Sequence, residues 1–287
     1  MGVDEIWTTM RILTWTREYL SSKGVENSRL EAEWLLCAVM KLDRVGLYLQ
    51  FDKPLNEDEL SAYRSLITRR AHREPLQHIL GSQEFFGLDF EVSADVLIPR
   101  HDTEVLVSEA LIRHPEAHTI LDIGTGSGCV AISLQKHCIN AAVTATDISE
   151  AALVIARRNA LRNDASVEFL QGSLFAPVAH RRFDLIVSNP PYIPTADIEL
   201  LEQEVRKYDP RTALDGGCDG LDMYRSLIPE SSKYLAPRGW LLLEIGIGQS
   251  KDIIRLIDQT NDFETTIVAT DPCGIERVIG AQRKEKL

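Results

Sequence analysis

Between Thr119 and Ile132 the chain passes from an apolar run, Thr119-Ile120-Leu121-Asp122-Ile123, through Gly124-Thr125-Gly126-Ser127-Gly128, into a second apolar run, Cys129-Val130-Ala131-Ile132. That order reads as strand, tight loop and helix. Glycines let the backbone turn sharply and approach a ligand closely. The N–H groups at the start of the helix then point at whatever occupies the loop. The spacing is G-x-G-x-G, not the dinucleotide pattern G-x-G-x-x-G. Downstream the alternation continues, with strands predicted near 119–123, 141–146, 167–171, 183–188, 240–245, 263–269 and 275–281. This predicts an α/β fold: a mostly parallel sheet with helices on both faces. Ligands of such sheets bind beyond the carboxyl ends of the strands. The glycine loop, Asp147, Ser173 and Asn189 each follow a predicted strand, so one crevice collects them.

Asp147 lies where a βαβ unit places a ribose-binding carboxylate, roughly 20 residues beyond the glycine loop. A carboxylate there accepts from both ribose hydroxyls and repels a 2′-phosphate. Capping the helix that starts near Ser149 is the other role open to it; the glycine loop favours the ribose. After the apolar run 183–188 comes Asn189-Pro190-Pro191-Tyr192. Two prolines fix φ and remove two donors, leaving a stiff, acceptor-rich loop. The Asn189 side-chain carbonyl and the Pro190 main-chain carbonyl can accept from one planar NH₂ group, with the Tyr192 ring against its face. That arrangement suits an amino or amide nitrogen as nucleophile, whereas the plainer reading is a proline-rich turn after a strand.

Together these elements resemble the class I S-adenosylmethionine-dependent methyltransferases. Further runs are similar to the HemK/PrmC family: Glu84-Phe85-Phe86-Gly87, Val96-Leu97-Ile98-Pro99-Arg100-His101-Asp102-Thr103-Glu104, Tyr208-Asp209-Pro210, and Ala213-Leu214-Asp215-Gly216-Gly217-Cys218-Asp219-Gly220-Leu221. The resemblance covers about 31–283. It implies a Rossmann-like methyltransferase fold with a small N-terminal helical domain, and S-adenosylmethionine as cofactor. The implied reaction is methylation of the side-chain amide nitrogen of a glutamine in peptide chain release factors, the proteins of translation termination. By the same resemblance Gly124, Thr125, Gly126 and Gly128 border the methionine part of the cofactor, Ser127 between them also belongs to the cofactor site, Asp147 holds the ribose, and Ser173 and Leu174 lie near the adenine. Asn189 would touch both cofactor and substrate. Asn189, Pro190, Pro191 and Tyr192 would bind the substrate amide, with Asn189, Pro190 and Tyr192 in the catalytic role. The family usually has Asp where Ser173 stands, so an acceptor is kept and a charge lost. His101 replaces the usual proline and is expected only to relax a turn. Glu244 is expected to be structural.

The chain has 287 residues, 44% of them apolar, enough for one large or two modest domains. Residues 1–74 read as an N-terminal helical, substrate-docking domain, 75–95 as an extended or hairpin linker, and 96–287 as the catalytic domain. Trp7, Leu13, Trp15 and Leu20 mark a first helix. Ser28-Arg29-Leu30-Glu31 and Asn56-Glu57-Asp58-Glu59 are capping-box patterns opening two more, and 41–50 adds a short one. Trp34 belongs, on its spacing, to a core stripe with Leu30, Leu35, Ala38 and Val39. Residues 77–80 and 84–92 read as extended, and Asp102 as the cap of a helix over 103–113.

Net charge is −12, which argues against autonomous nucleic-acid binding. This disfavours the competing reading of the tetrapeptide, a methyltransferase acting on exocyclic amines of nucleic-acid bases. A non-catalytic scaffold is disfavoured by the intact tetrapeptide. No apolar run is long enough to span a membrane. Met1-Gly2-Val3-Asp4-Glu5 lacks the features of a leader, and Ile6 breaks a myristoylation signal. Five dispersed cysteines predict reduced thiols rather than disulfides or zinc. A cytoplasmic location is the expectation. Asp215, Asp219 and Asp222 suggest a cation, but their spacing does not match a calcium loop; a turn-rich surface loop without metal is expected.

Overall fold

The structure is a computed structural model and describes residues 6–285. The five N-terminal residues read above for leader and acylation signals lie outside the described residues. The chain divides into two compact units. One runs through Gly81 and includes Gln203–Tyr208; the other holds Ser82–Glu202 and the chain from Asp209 onward.

The first unit begins with α1 (Thr9–Ser22), α2 (Ser28–Met40), α3 (Arg44–Leu49), α4 (Glu57–Ala71) and α5 (Leu76–Leu80). Leu20, Leu35, Leu36, Leu47 and Tyr63 are fully buried at its centre. Each buried aliphatic side chain contributes about 1.5–3 kcal/mol. The Tyr63 hydroxyl donates to the Ala32 carbonyl at 2.9 Å, satisfying the one polar atom of that ring. The capping box at Asn56 forms as its sequence predicts. Glu59 N–H donates to Asn56 Oδ1 at 2.8 Å, and Asn56 N–H to Glu59 Oε2 at 2.9 Å.

Three expectations fail here. Ser28 is not a cap: Asn27 precedes the helix, and no side chain caps it. Glu31 instead pairs with the buried Arg70 guanidinium, a stronger claim on a carboxylate than a helix-end N–H. Trp34 is 40% exposed. Ala32, Leu35 and Leu36 form the inward face of α2, and at about 100° per residue Trp34 falls outside it. Residues 76–80 are helical rather than extended, because Pro75 opens the turn, Leu76 and Ile79 bury together, and Gly81 at φ +76° closes it.

The second unit starts with a hairpin of β1 (Ser82–Phe85) and β2 (Leu88–Glu91), turned through Phe86 and Gly87 at positive φ. Then follow α6 (Glu104–Arg113), β3 (Thr119–Ile123), α7 (Cys129–His137), β4 (Ala142–Asp147), α8 (Glu150–Arg162), β5 (Val167–Gln171) and β6 (Phe183–Ser188). After α9 (Gln203–Tyr208), which belongs to the first unit, come α10 (Asp222–Tyr234), β7 (Leu235–Glu244), α11 (Ser250–Thr260), β8 (Phe263–Thr270) and β9 (Glu276–Arg283). The seven-stranded sheet runs β5-β4-β3-β6-β7-β9-β8, with β9 antiparallel to both neighbours. Successive strand residues face opposite sides. Ile120, Leu185, Val187 and Leu242 pack with Leu106 and Ile132. Leu121, Ile123, Ile186, Leu241 and Leu243 pack with Leu227 and Ile253. This is the predicted architecture, and strands β3 to β6 lie within a residue of expectation.

Asp102 does not cap α6. It sits in a single 3₁₀ turn, His101–Thr103, and pairs with Arg277 at 2.7 Å. Arg277 is largely buried and takes Asp271 as a second partner at 2.9 Å, so the guanidinium rather than the helix end claims Asp102.

Within the first unit, α9 supplies Glu204, whose carboxylate accepts from Arg70 at 3.1 Å and from Arg73 at 2.8 Å. Arg70 is 6% exposed, and a buried charge left short of partners is costly. Glu204→Ala is expected to lower unfolding free energy by about 1–3 kcal/mol, the lower part if Glu31 compensates. Urea denaturation measures it; an unchanged midpoint would show that the pair contributes nothing.

Candidate active site

Strands β5, β4, β3 and β6 are neighbours in parallel, so their carboxyl ends form one rim. The glycine loop follows β3, Asp147 ends β4, Ser173 and Leu174 follow β5, and Asn189 follows β6. The predicted residues therefore meet at one edge of the sheet.

The glycine loop is held by β4. Gly124 and Thr125 N–H groups donate to the Thr146 carbonyl at 2.8 and 3.0 Å, and Gly126 N–H donates to Asp147 Oδ2 at 2.8 Å. Gly124 and Gly126 have φ of +74° and +55°, and a Cβ on either would meet nothing within 4 Å. Their Cα faces open onto free space, as a cradle for a ligand needs. Gly128 starts α7 at φ +82°, with Ile132 and Ala156 packed against it. The second oxygen of Asp147 accepts from Ser149 N–H at 2.9 Å. Ser149, not Asp147, caps α8, accepting from Ala152 N–H at 3.2 Å. Asp147 thus tensions the loop against the next helix while its carboxylate stays at the rim. Beneath, Thr125 donates to Asp122 at 2.6 Å; burial pushes the Asp122 carboxyl up to about 7. Ser173 is exposed, and Leu174 has a φ of +49°, a left-handed turn uncommon for leucine.

In the tetrapeptide, Asn189 Nδ2 donates to Thr103 Oγ1 at 3.1 Å. Its Oδ1 is thereby turned the other way, as an acceptor. Pro190 is buried, and Pro191 and Tyr192 are half-buried. The Tyr192 hydroxyl donates to Glu244 Oε1 at 3.3 Å, and burial with the adjacent carboxylate holds the phenol protonated, well above its usual range. With the ring face against a substrate amide, Tyr192→Phe would lower turnover less than Tyr192→Ala in steady-state assays; equal effects would show that the ring face is not used.

The segment 214–222 braces the tetrapeptide. Ile193 N–H donates to the Leu214 carbonyl at 3.0 Å, Gly216 N–H returns to Ile193 at 2.9 Å, and Thr195 N–H donates to Gly217 at 2.8 Å. A Cβ on Gly220 would stand 2.2 Å from the Tyr192 carbonyl oxygen, and one on Gly216 2.8 Å from that of Pro191. Gln249 Nε2 also donates to the Tyr192 carbonyl, at 2.9 Å. The acids of this segment are used internally. Asp215 accepts from Thr195 at 2.6 Å, and Asp219 and Asp222 pair with Arg225. The surface loop expected here is packed against the tetrapeptide, and its repeated glycines mark the close backbone approach. Thr103, given no role above, is buried against Asn189. His101 is exposed, 3.4 Å from Glu104.

This fold and rim define a class I S-adenosylmethionine-dependent methyltransferase. Its sheet is shared with a methyltransferase from Pyrococcus furiosus (TM-score 0.51, 23% identity, 70% of this chain and 91% of that one). The hMettl16 catalytic domain in complex with MAT2A 3'UTR hairpin 1 shares it too (TM-score 0.55, 16% identity, 75% and 80%). Residues 11–81 match the PrmC N-terminal domain and 101–206 the Methyltransferase small domain. Release factor glutamine methyltransferase of Geobacter sulfurreducens is 58% identical over 97% of this chain and 98% of its own length. That of Moorella thermoacetica is 44% identical over 93% and 95%. The chain belongs to the release factor glutamine methyltransferase family.

Proposed function

We propose that this chain transfers a methyl group from S-adenosylmethionine to the side-chain amide nitrogen of a glutamine in a peptide chain release factor. The observation that carries the reading is the turned-out Asn189 carbonyl beside Pro190, an acceptor pair on a stiff loop at the sheet rim. It is supported by full-length identity to relatives of that name. Gly124, Thr125, Gly126, Ser127, Gly128, Asp147, Ser173 and Leu174 would hold the cofactor, which supplies an electrophilic methyl on a sulfonium.

An amide nitrogen is a poor nucleophile because its lone pair is delocalised into the carbonyl. Acceptors on both N–H bonds, Asn189 Oδ1 and the Pro190 carbonyl, push density back toward nitrogen and fix its direction. Orientation of this kind supplies several kcal/mol, up to ~7–11 in well-oriented systems. The same carbonyls stabilise the positive charge that gathers on nitrogen during transfer. The Tyr192 ring packs on the amide face. No strong base is needed beforehand, because the methylated nitrogen becomes acidic. Incubation of purified release factor with labelled cofactor, then mass spectrometry of the modified peptide, tests the reading; label on any residue but glutamine would refute it.

The tetrapeptide reads only an amide, so choice of protein must come from elsewhere. The helical unit exposes Trp15, Trp34, Leu49 and Phe51, and exposed apolar side chains of this size suit docking of the release factor. Deleting the N-terminal residues would strip α9 of its partners, so point variants are the cleaner probe. Trp34→Ala and Leu49→Ala are expected to lower kcat/KM for whole release factor about tenfold. Activity on a short glutamine peptide should not change. Equal activity on whole factor would refute the docking role.

A further inference from the structure

Two consecutive prolines stiffen the tetrapeptide but cannot anchor it, because Pro190 and Pro191 have no N–H to give. Its entry is tied at the Asn189 side chain, by Thr103. Its exit is tied at the Tyr192 carbonyl, where the donor is Gln249 Nε2 at 2.9 Å. No backbone N–H reaches that carbonyl among the described residues. The same nitrogen also reaches the Gly220 carbonyl at 3.4 Å, and Gln249 Oε1 accepts from Gly246 N–H at 2.9 Å. One side-chain amide thus joins the tetrapeptide, the 214–222 segment and the chain leaving β7.

Gly246 to Gln249 is a turn. Gln249 N–H donates to the Gly246 carbonyl at 3.2 Å, and Gly248 has a φ of +82°, the positive value a type II turn needs at its third position. Ile245 before the turn and Ile253 after it are fully buried, so Gln249 stands on the core rather than on a free loop. With its oxygen spent on Gly246 N–H, the amide must point its donors at the two carbonyls. Flipped, it would set oxygen against oxygen at Tyr192 and nitrogen against N–H at Gly246. The space is as tight as the bonding. A Cβ on Gly246 would stand 2.9 Å from Gln249 Oε1 and 3.1 Å from Tyr192 Cδ2, and one on Gly220 2.6 Å from Gln249 Nε2. The Tyr192 ring therefore packs on a bare Cα that Gln249 itself holds.

We propose that Gln249 is a positioning residue for methyl transfer: it holds the tetrapeptide's exit so that the Pro190 carbonyl and the Tyr192 ring meet the substrate amide in register with Asn189 Oδ1. The inference rests on the acceptor reading of Asn189 and Pro190. Gln249 acts through the main chain and not on the reacting atoms. Pro191, with its φ locked, lies between the Pro190 and Tyr192 carbonyls, so movement at Tyr192 is passed back to Pro190 rather than absorbed. Misplacing a reacting group by about 1 Å costs up to about a hundredfold in rate.

The test uses the full chain with purified release factor, and reads kcat and KM together with cofactor affinity by calorimetry. Gln249→Met keeps the length of the side chain and removes its donor and acceptor. Gln249→Glu keeps the acceptor for Gly246 and sets a second oxygen against two carbonyls. Each should lower kcat about 10–100-fold, the glutamate at least as much as the methionine, with KM and cofactor affinity nearly unchanged. In an Asn189→Ala background the Gln249→Met loss should shrink to a few-fold, because parts that act as one unit are not additive. Wild-type kcat in Gln249→Met overturns the proposal, as does a loss confined to KM or to cofactor affinity. A full loss on top of Asn189→Ala also overturns it, being the result a merely less stable fold would give. Should Gln249→Met not fold, Gly246→Ala decides: it drives a methyl group into the clamp and leaves every bonding group in place, and wild-type kcat there overturns the proposal instead. Asn189→Ala alone separates the two layers. Normal turnover in it sinks the acceptor reading itself. A crippled Asn189→Ala beside a normal Gln249→Met sinks only the positioning role.

Discussion

Asn189→Ala is expected to lower turnover about 10²–10³-fold, the size seen when one preorganised group that meets developing charge is removed. Its Oδ1 is fixed by Thr103 and by a proline pair that cannot relax around the gap. Little reorganisation then offsets the loss. Because the contact strengthens only as charge gathers on the amide nitrogen, kcat should carry most of the effect and cofactor affinity little of it. Single-turnover kinetics at saturating release factor would measure it. Near-normal turnover in a folded variant would remove Asn189 from the chemistry and leave the tetrapeptide as a plain turn.

Asp147→Ala should weaken cofactor binding by at least about a hundredfold. In the proposed role its two charge-assisted hydrogen bonds to ribose hydroxyls would each be worth roughly 1.5–3 kcal/mol. The structure adds a second loss, since the same carboxylate holds Gly126 N–H at 2.8 Å and Ser149 N–H at 2.9 Å. Removing it frees the glycine loop as well as the ribose. Asp147→Asn separates the two: it keeps an acceptor for the loop but lowers charge. An intermediate affinity by calorimetry is expected, and wild-type affinity in Asp147→Ala would sink the assignment.

The legible parts of this molecule are those whose causes are local. A glycine at positive φ, two prolines in a row and the two-residue alternation of a buried strand leave their marks within a few neighbouring positions. From those marks come β3 to β6 and the rim carrying Gly124, Asp147, Ser173 and Asn189. What stayed hidden depends on partners far away in sequence. Nothing near Thr103 shows that it will meet Asn189, and nothing near Glu244 shows that it will meet Tyr192. Ser28 and Asp102 differ from expectation for the same reason: a local rule gives each segment a helix cap. In the fold, buried Arg70 and half-buried Arg277 draw Glu31 and Asp102 into ion pairs. Trp34 was misplaced because spacing gives a face only to within about one residue.

The order in which a ribosome delivers the chain gives α9 a different meaning. Helices α1 to α5 emerge first, with Arg70 and Arg73 already made but Glu204 still well over a hundred residues from synthesis. Through that interval the helical unit can close its apolar centre but not its polar network. It waits on a segment that arrives only after β6, the strand that carries the tetrapeptide. Completion of the early-made half is thus tied to delivery of the late-made one. A nascent chain stalled before Gln203 would leave Arg70 with Glu31 alone and Arg73 without its carboxylate partner.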